Sequence, residues 1–139
     1  MNCNFDERQL KIRGNIYKHT LLIIVALLML DAFLKDSGCV YATSFQSDFI
    51  IIMITAMIGG VEMIFFDVYY PNKKMKALFY IIGAILTIGI IRIFIEKRSL
   101  VLNGAITDNG FSVIISLCAL IICIASIVKS VIYKKLEED

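Results

Sequence analysis

The chain has 139 residues, 59% of them hydrophobic, one proline, no tryptophan and a mean hydropathy of +0.82. This apolar share is above the roughly half that is typical of soluble domains, which argues against a soluble fold and predicts a single integral membrane domain. The formal net charge is only +2 and the basic residues form short clusters beside apolar runs. This pattern argues against nucleic-acid binding and favours anionic lipid headgroups as partners of the clusters.

The first predicted element is a short cytoplasmic amphipathic helix over residues 4–15. Asn4 followed by Glu7 resembles a capping box, and apolar and basic residues fall on different faces, as in helices that rest on an anionic membrane surface. Gly14 is expected to weaken the helix before the first span.

Four apolar runs follow, each close to the ~20 residues that a membrane-spanning helix needs. We predict spans over about 16–34, 49–70, 77–95 and 110–133. The predicted fold class is therefore an all-α integral membrane protein, with four transmembrane helices in a compact antiparallel bundle preceded by the short cytoplasmic helix.

The distribution of Lys and Arg predicts the orientation. Ten of them lie in the amino-terminal segment, in the turn after Pro71 and at the carboxyl end, against three in the other two loops. Because basic loops stay in the cytoplasm, we expect a multi-pass protein of the cell membrane with both termini cytoplasmic.

Charged residues near the span ends suggest pairs between helices. Asp31 and Arg92 each lie about one turn from the outer end of a span, and the hypothesis is an ion pair between the first and third helices. Asp67 and Lys129 lie similarly near the inner face and predict a contact between the second and fourth helices. For both pairs, snorkelling to the headgroups is the alternative.

Glu62 falls well inside the second predicted span, with no basic residue at its depth. An ionisable residue there is a functional-site hypothesis by default. One interpretation is a protonated clasp that donates to Thr55, Thr87, Ser116 or a carbonyl, since burial favours the neutral acid. A proton or cation site, and a contact with lipid or a partner, are the alternatives.

The fourth span carries small residues at alternating spacings of four and three. Small side chains let membrane helices approach closely, so this stripe predicts a packing seam within the chain, with a homodimer interface as the alternative. Ala56 and Gly60 form a similar pair in the second span. The stripe consists of Ser112, Ser116, Ala119, Cys123, Ser126 and Ser130.

Nothing in the sequence forms a catalytic constellation. There is one His, no nucleophile elbow and no phosphate-binding glycine loop, and the four cysteines lack metal-ligand spacing. We therefore expect a protein that is not an enzyme and needs no metal or cofactor.

The run Asp6-Glu7-Arg8-Gln9, followed by Lys11 and by Asn15-Ile16-Tyr17, resembles the start of a group of small, uncharacterised bacterial membrane proteins, mostly Gram-positive. Members of this group look like four-span or half-length proteins. The resemblance implies a cytoplasmic amino-terminal segment that engages a partner through Asp6, Glu7, Arg8 and Gln9. A solvated helix start is the alternative interpretation of these four residues.

Two functional hypotheses follow, and a purely structural subunit of a larger complex would fit the same sequence. The first is a non-enzymatic membrane protein that anchors or regulates a partner through its cytoplasmic face, the partner being a regulator, a transporter or an antimicrobial-peptide defence component. The second is a small proton- or cation-coupled transporter or channel that acts as an oligomer around Glu62.

Overall fold

The computed structural model describes residues 7–66, 68 and 73–138 of the chain. This part is mostly helical, and a short antiparallel hairpin precedes the last helix. Three of its helical stretches, Glu7–Asp36, Ser44–Phe65 and Asp108–Tyr133, are long and apolar enough to cross a membrane, while the apolar stretch Tyr80–Ile95 is shorter. The helical fold class is confirmed at this level. The elements are α1 (Glu7–Asp36), α2 (Ser44–Phe65), α3 (Lys73–Ile95), β1 (Val101–Leu102), β2 (Ala105–Ile106) and α4 (Asp108–Glu138).

The main helix contacts follow the order α1–α2–α4–α3. Thr20 lies beside Gly59 while Lys35 bonds to Ser47, so α1 and α2 are antiparallel. By contrast, α2 and α4 run parallel, because contacts near the start of α2 involve the start of α4 and contacts near its end involve Lys129. A simple up-and-down bundle would separate α2 from α4; here they form a central pair, with α1 and α3 on its flanks.

We name the two ends of the helix assembly after Asp31 and Glu62, one carboxylate near each end. The Asp31 end is where α1 and α3 finish and α2 and α4 begin, and the Glu62 end is the opposite one.

The amino-terminal segment differs from the prediction, because α1 is one continuous helix of 30 residues. Residues 7–15 are its first turns, and residues 4–6 lie outside the described part of the chain. Apart from the neighbouring backbone of α1 itself, no atom of the described residues lies within 4 Å of the place that a Cβ at Gly14 would take. A glycine in a helix costs only about 0.5–1 kcal/mol relative to alanine, which is too little to interrupt a helix of this length.

The second span is also displaced, since α2 begins at Ser44 and ends at Phe65 rather than covering 49–70. The cause is a capping box that the sequence analysis missed. The Thr43 hydroxyl accepts from the Gln46 backbone N–H and the Gln46 side chain accepts from the Thr43 N–H, both at 3.3 Å. Thr-x-x-Gln is a recognisable helix start, but it was hidden among polar residues assigned to a loop.

Replacing Thr43 with alanine tests this cap. We expect Thr43→Ala to lower the free energy of unfolding by about 1 kcal/mol, because the first turn of α2 loses an acceptor for its unpaired N–H groups. Thr43→Ser keeps the hydroxyl and is the matched control, with little change expected. Denaturant unfolding in detergent micelles measures both, and equal losses in the two variants would contradict the capping role.

The hairpin is the second missed element. Val101 pairs with Ile106 and Leu102 with Ala105, and the two connecting residues, Asn103 and Gly104, have φ values of 51° and 81°. Asn-Gly is the strongest short hairpin signal because both positions of a type I′ turn need positive φ. The predicted spans left residues 96–109 as a loop between the third and fourth of them.

Candidate functional site

A polar cluster at the Asp31 end joins α1 to α2. Asp31 is only 5% exposed; its carboxylate accepts from the Tyr41 hydroxyl and lies 2.6 Å from Lys35 Nζ, one turn later in α1. The same Nζ donates to Ser47 Oγ of α2 at 2.7 Å and lies 3.7 Å from Asp48. We call Asp31, Lys35, Tyr41 and Ser47 the Asp31 cluster.

Two further links connect this end to α4 and to the hairpin. Gln46 Nε2 donates to Asp108 Oδ1 at 2.9 Å, which ties the first turn of α2 to the first turn of α4. The Ile106 N–H donates to the Tyr41 carbonyl at 2.7 Å. The loop between α1 and α2 is therefore held by bonds from α1, from α2 and from β2.

The polar groups of the Asp31 cluster have hydrogen-bond partners within the chain. Among the described residues, no buried side-chain nitrogen or oxygen lacks a hydrogen-bond partner, and no group of three His, Cys, Asp or Glu residues is placed to bind a metal. Each oxygen of the buried Asp31 carboxylate already has a polar partner, the Tyr41 hydroxyl on one and the Lys35 ammonium group on the other. Such a network stabilises one arrangement of helices.

Burial, together with the hydrogen bond to Asp31, raises the pKa of Tyr41 to about 12 from an ordinary value of 10.0. The Tyr41 hydroxyl therefore stays protonated in the folded protein at pH values at which it is deprotonated in the unfolded chain. By proton linkage, the stability from the neutral phenol is fully present below pH 10 and is lost as the pH rises towards about 12.

We expect the free energy of unfolding to fall through this pH window in the wild type and to fall less in Tyr41→Phe. Denaturant titrations at several alkaline pH values measure the slope. The comparison with Tyr41→Phe isolates the phenol from other groups. Identical slopes in the two proteins would contradict the proposed bond.

The predicted ion pair between Asp31 and Arg92 does not form. Arg92 instead pairs with Glu96, at 2.6 Å and one turn away in the same helix. The prediction was wrong because α1 and α3 lie on opposite flanks of the α2–α4 pair, so each charge finds its counter-charge locally. The hydrogen bond from Arg92 lowers the pKa of Glu96, and a second bond from Arg98 acts in the same direction.

Glu62 lies in the last turn of α2, three residues before Phe65, where the helix ends. It was expected near the middle of a longer helix. The side chain is half-buried, and no hydrogen bond or ion pair joins it to another described residue. Thr55 and Thr87, two of its expected partners, donate to carbonyls of their own helices at 2.7 Å. Ser116, the third, makes no bond to it either.

Near the Glu62 end, Lys129 connects α4 to α2. Its Nζ donates to the Phe65 carbonyl at 2.8 Å and lies 5.1 Å from the centre of the Tyr133 ring. An ammonium group is well placed at the carbonyl end of a helix. Asp67 lies outside the described residues, so its contact with Lys129 stays a prediction.

Most of the predicted small-residue stripe of α4 faces the interior. Gly83 of α3 packs there, and a side chain added at that glycine would meet Cys123 Sγ at 3.5 Å. In the second span Ala56 is exposed and Gly60 faces Ile122, while Gly59 makes the closest approach. Ser116, Cys123 and Ser126 are buried, Ala119 and Ser130 are half-buried, and Ser112 is exposed.

Gly59 packs against α1 more closely than the Gly59-Gly60 pair alone indicated. A side chain there would lie 2.9 Å from Thr20 Oγ1, and that hydroxyl already donates to the Ile16 carbonyl at 2.7 Å. The Gly59-Gly60 pair was the available signal, but only the contacts show that the two glycines serve different neighbours.

The predicted partner surface lies at the other end of α1. Glu7 and Arg8 are exposed in its first turn and Gln9 is half-buried, while Asp6 lies outside the described part of the chain. Comparisons of the chain with protein-family models, with curated proteins and with solved structures find no match.

Proposed function

We propose that this chain is a non-enzymatic protein of the cell membrane that holds or regulates a protein partner through the start of α1. Both termini lie in the cytoplasm in this proposal, and α3 also crosses the membrane, which brings the number of spans to four. The partner is a regulator, a transporter or a component of an antimicrobial-peptide defence system.

The observation that carries the proposal is the unbroken length of α1. Its 30 residues correspond to roughly 45 Å at ~1.5 Å per residue, whereas the hydrocarbon core is only ~30 Å thick. About ten residues must therefore extend beyond it.

The helix contacts support the first turns of α1 as the part that extends. Thr20 lies beside Gly59, and α2 ends six residues later at Phe65. Because the helices are antiparallel, the end of α2 is level with about residue 14 of α1. The turns before it carry Glu7, Arg8 and Lys11, all exposed. They form a charged rod that is continuous with a membrane helix, so a partner bound there is held at a fixed place.

The basic residues at this level support a membrane boundary. Arg13 Nε donates to Tyr17 Oη at 2.9 Å, and Lys129 lies over the Tyr133 ring. Tyrosine with a neighbouring cation is typical of the headgroup region. Anionic lipid headgroups are thus the proposed lipid partners of these clusters.

A pull-down from native membranes tests the partner surface. We expect the variant with Asp6, Glu7 and Arg8 all changed to alanine to lose proteins that the wild type retains. Asp36→Ala removes an exposed charge from the opposite end of the same helix and is the control, with no loss expected. An unchanged set of captured proteins in the triple variant would reject the proposal.

The second candidate, ion-coupled transport by an oligomer, is favoured by one observation: the side chain of Glu62 is half-buried and makes no hydrogen bond or ion pair with another described residue. Proton flux in proteoliposomes distinguishes the two functions. Transport requires flux that Glu62→Gln abolishes, whereas the anchoring function requires none.

A further inference from the structure

The hairpin exposes two apolar side chains on the strand that faces away from α4. Val101 is 57% exposed and Leu102 is 61% exposed, whereas Ala105 and Ile106 on β2 are half-buried. A hairpin surrounded by water normally turns its polar side outwards. The outer strand here does the opposite, and nothing in the described part of the chain covers it.

The hairpin is held close to the helices. The Thr107 N–H donates to the Leu100 carbonyl at 3.0 Å, and the Ile106 N–H donates to Tyr41. The Leu100 carbonyl also occupies the space that a side chain at Gly110 would need. Since Gly110 lies in the first turn of α4, the base of the hairpin lies alongside that turn and does not project away from it.

The position of the hairpin relative to the apolar layer of the protein follows from the residues around it. Charged residues at the Asp31 end of three helices, namely Lys35, Asp48 and Asp108, mark where those helices leave the apolar layer. The hairpin joins α4 at this level. On its other side α3 ends with Phe94 and Ile95, which are 60% and 75% exposed and belong to the apolar surface that lipid would cover.

We propose that β1 is an interfacial anchor, in which Val101 and Leu102 insert into the boundary between headgroups and acyl chains of the leaflet at the Asp31 end. The occupant of this surface is therefore bilayer lipid. Exposed Lys97 and Arg98 stand between α3 and β1, and basic residues beside exposed apolar side chains are typical of segments that lie in this interface. The inference rests on the membrane insertion assumed in the proposed function.

Single-tryptophan fluorescence tests the anchor, because the chain has no tryptophan of its own. Three variants are compared in phosphatidylcholine vesicles that contain lipids with a spin-label quencher near either the headgroup or the chain end. Leu102→Trp probes the anchor, and Leu22→Trp, at a 68% exposed position in the middle of α1, probes the bilayer interior. Glu7→Trp probes water.

We expect the headgroup-level quencher to act most strongly on Leu102→Trp and the deep quencher on Leu22→Trp, with little effect on Glu7→Trp. Leu102→Trp should also emit at shorter wavelength than Glu7→Trp. Val101→Trp repeats the measurement if Leu102→Trp lowers the helical content measured by circular dichroism.

Different results would overturn the anchor alone or the proposed function with it. If Leu22→Trp is quenched but neither hairpin variant is, the hairpin lies in water or under a protein, and the anchor is overturned while the proposed function stands. Emission that depends on the ratio of protein to lipid, without quenching, would assign the surface to a second copy of the chain. If Leu22→Trp is also unquenched, membrane insertion fails, and both proposals fail with it.

Discussion

Asp31→Ala is expected to lower the free energy of unfolding by about 2–3 kcal/mol, because it removes a buried carboxylate and leaves its bonded groups without a partner. The Tyr41 hydroxyl loses its acceptor, and the Lys35 ammonium loses its closest counter-charge. Lys35 reaches water, which keeps the loss below that of a fully buried pair.

Arg92→Ala is the matched control, since the sequence alone suggested Arg92 as the partner of Asp31. The Arg92 side chain is 76% exposed and bonds within its own helix, and exposed ion pairs contribute little. We expect no measurable change. Steric trapping or denaturant unfolding in micelles measures both variants.

A double-mutant cycle separates the two pairings. The effects of Asp31→Ala and Tyr41→Phe should be strongly non-additive, because the residues are bonded, while those of Asp31→Ala and Arg92→Ala should simply add. Coupling between Asp31 and Arg92 would show that α1 and α3 are neighbours and would contradict the helix order described above.

Gly59→Leu is the second substitution with a large expected effect. Even a single methyl group at this position would lie 2.9 Å from Thr20 Oγ1, so a larger side chain must push α1 away from α2. Overpacking of this kind costs about 1–3 kcal/mol, and more where neither helix can move. We expect loss of the folded state for Gly59→Leu and a smaller destabilisation for Gly59→Ala.

Gly60→Ala is the control, because a methyl group there would meet Ile122 at an ordinary 3.7 Å. A second test uses rescue. In a Thr20→Ala background the obstructing hydroxyl is absent, so Gly59→Ala should become nearly neutral. A cost for Gly59→Ala that is independent of Thr20 would mean that α1 does not cross α2 at this glycine.

The sequence predicts the helices far better than it predicts their ends and neighbours. Apolar runs identify the helices because membrane burial demands them, but α2 begins five residues earlier than expected, since Gln46 and Ser47 are polar and yet bonded inside the structure. That displacement also explains why Glu62 lies near the end of α2 and not near its middle. Its expected depth came from a helix assumed to continue to residue 70, whereas α2 ends at Phe65.

Which helices touch is a tertiary property that periodicity does not encode. Asp31 and Arg92 had matching depths, and matching depth is all that a span prediction supplies. The choice between Gly59 and Gly60 as the close-approach position likewise depends on the crossing of α1 over α2. Local signals were nevertheless available in two places, the Thr43 cap and the Asn103-Gly104 turn.

The parallel pairing of α2 with α4 has a consequence for the order in which the protein folds. The bond from Gln46 to Asp108 spans 62 residues of chain, whereas the bond from Lys35 to Ser47 spans only 12. During synthesis the α1–α2 pair can close early, but one face of α2 stays uncovered until α4 has been made. Among the described helices α3 packs mainly against α4, so α3 joins the α1–α2 pair only after α4, which follows it in the chain, has been made.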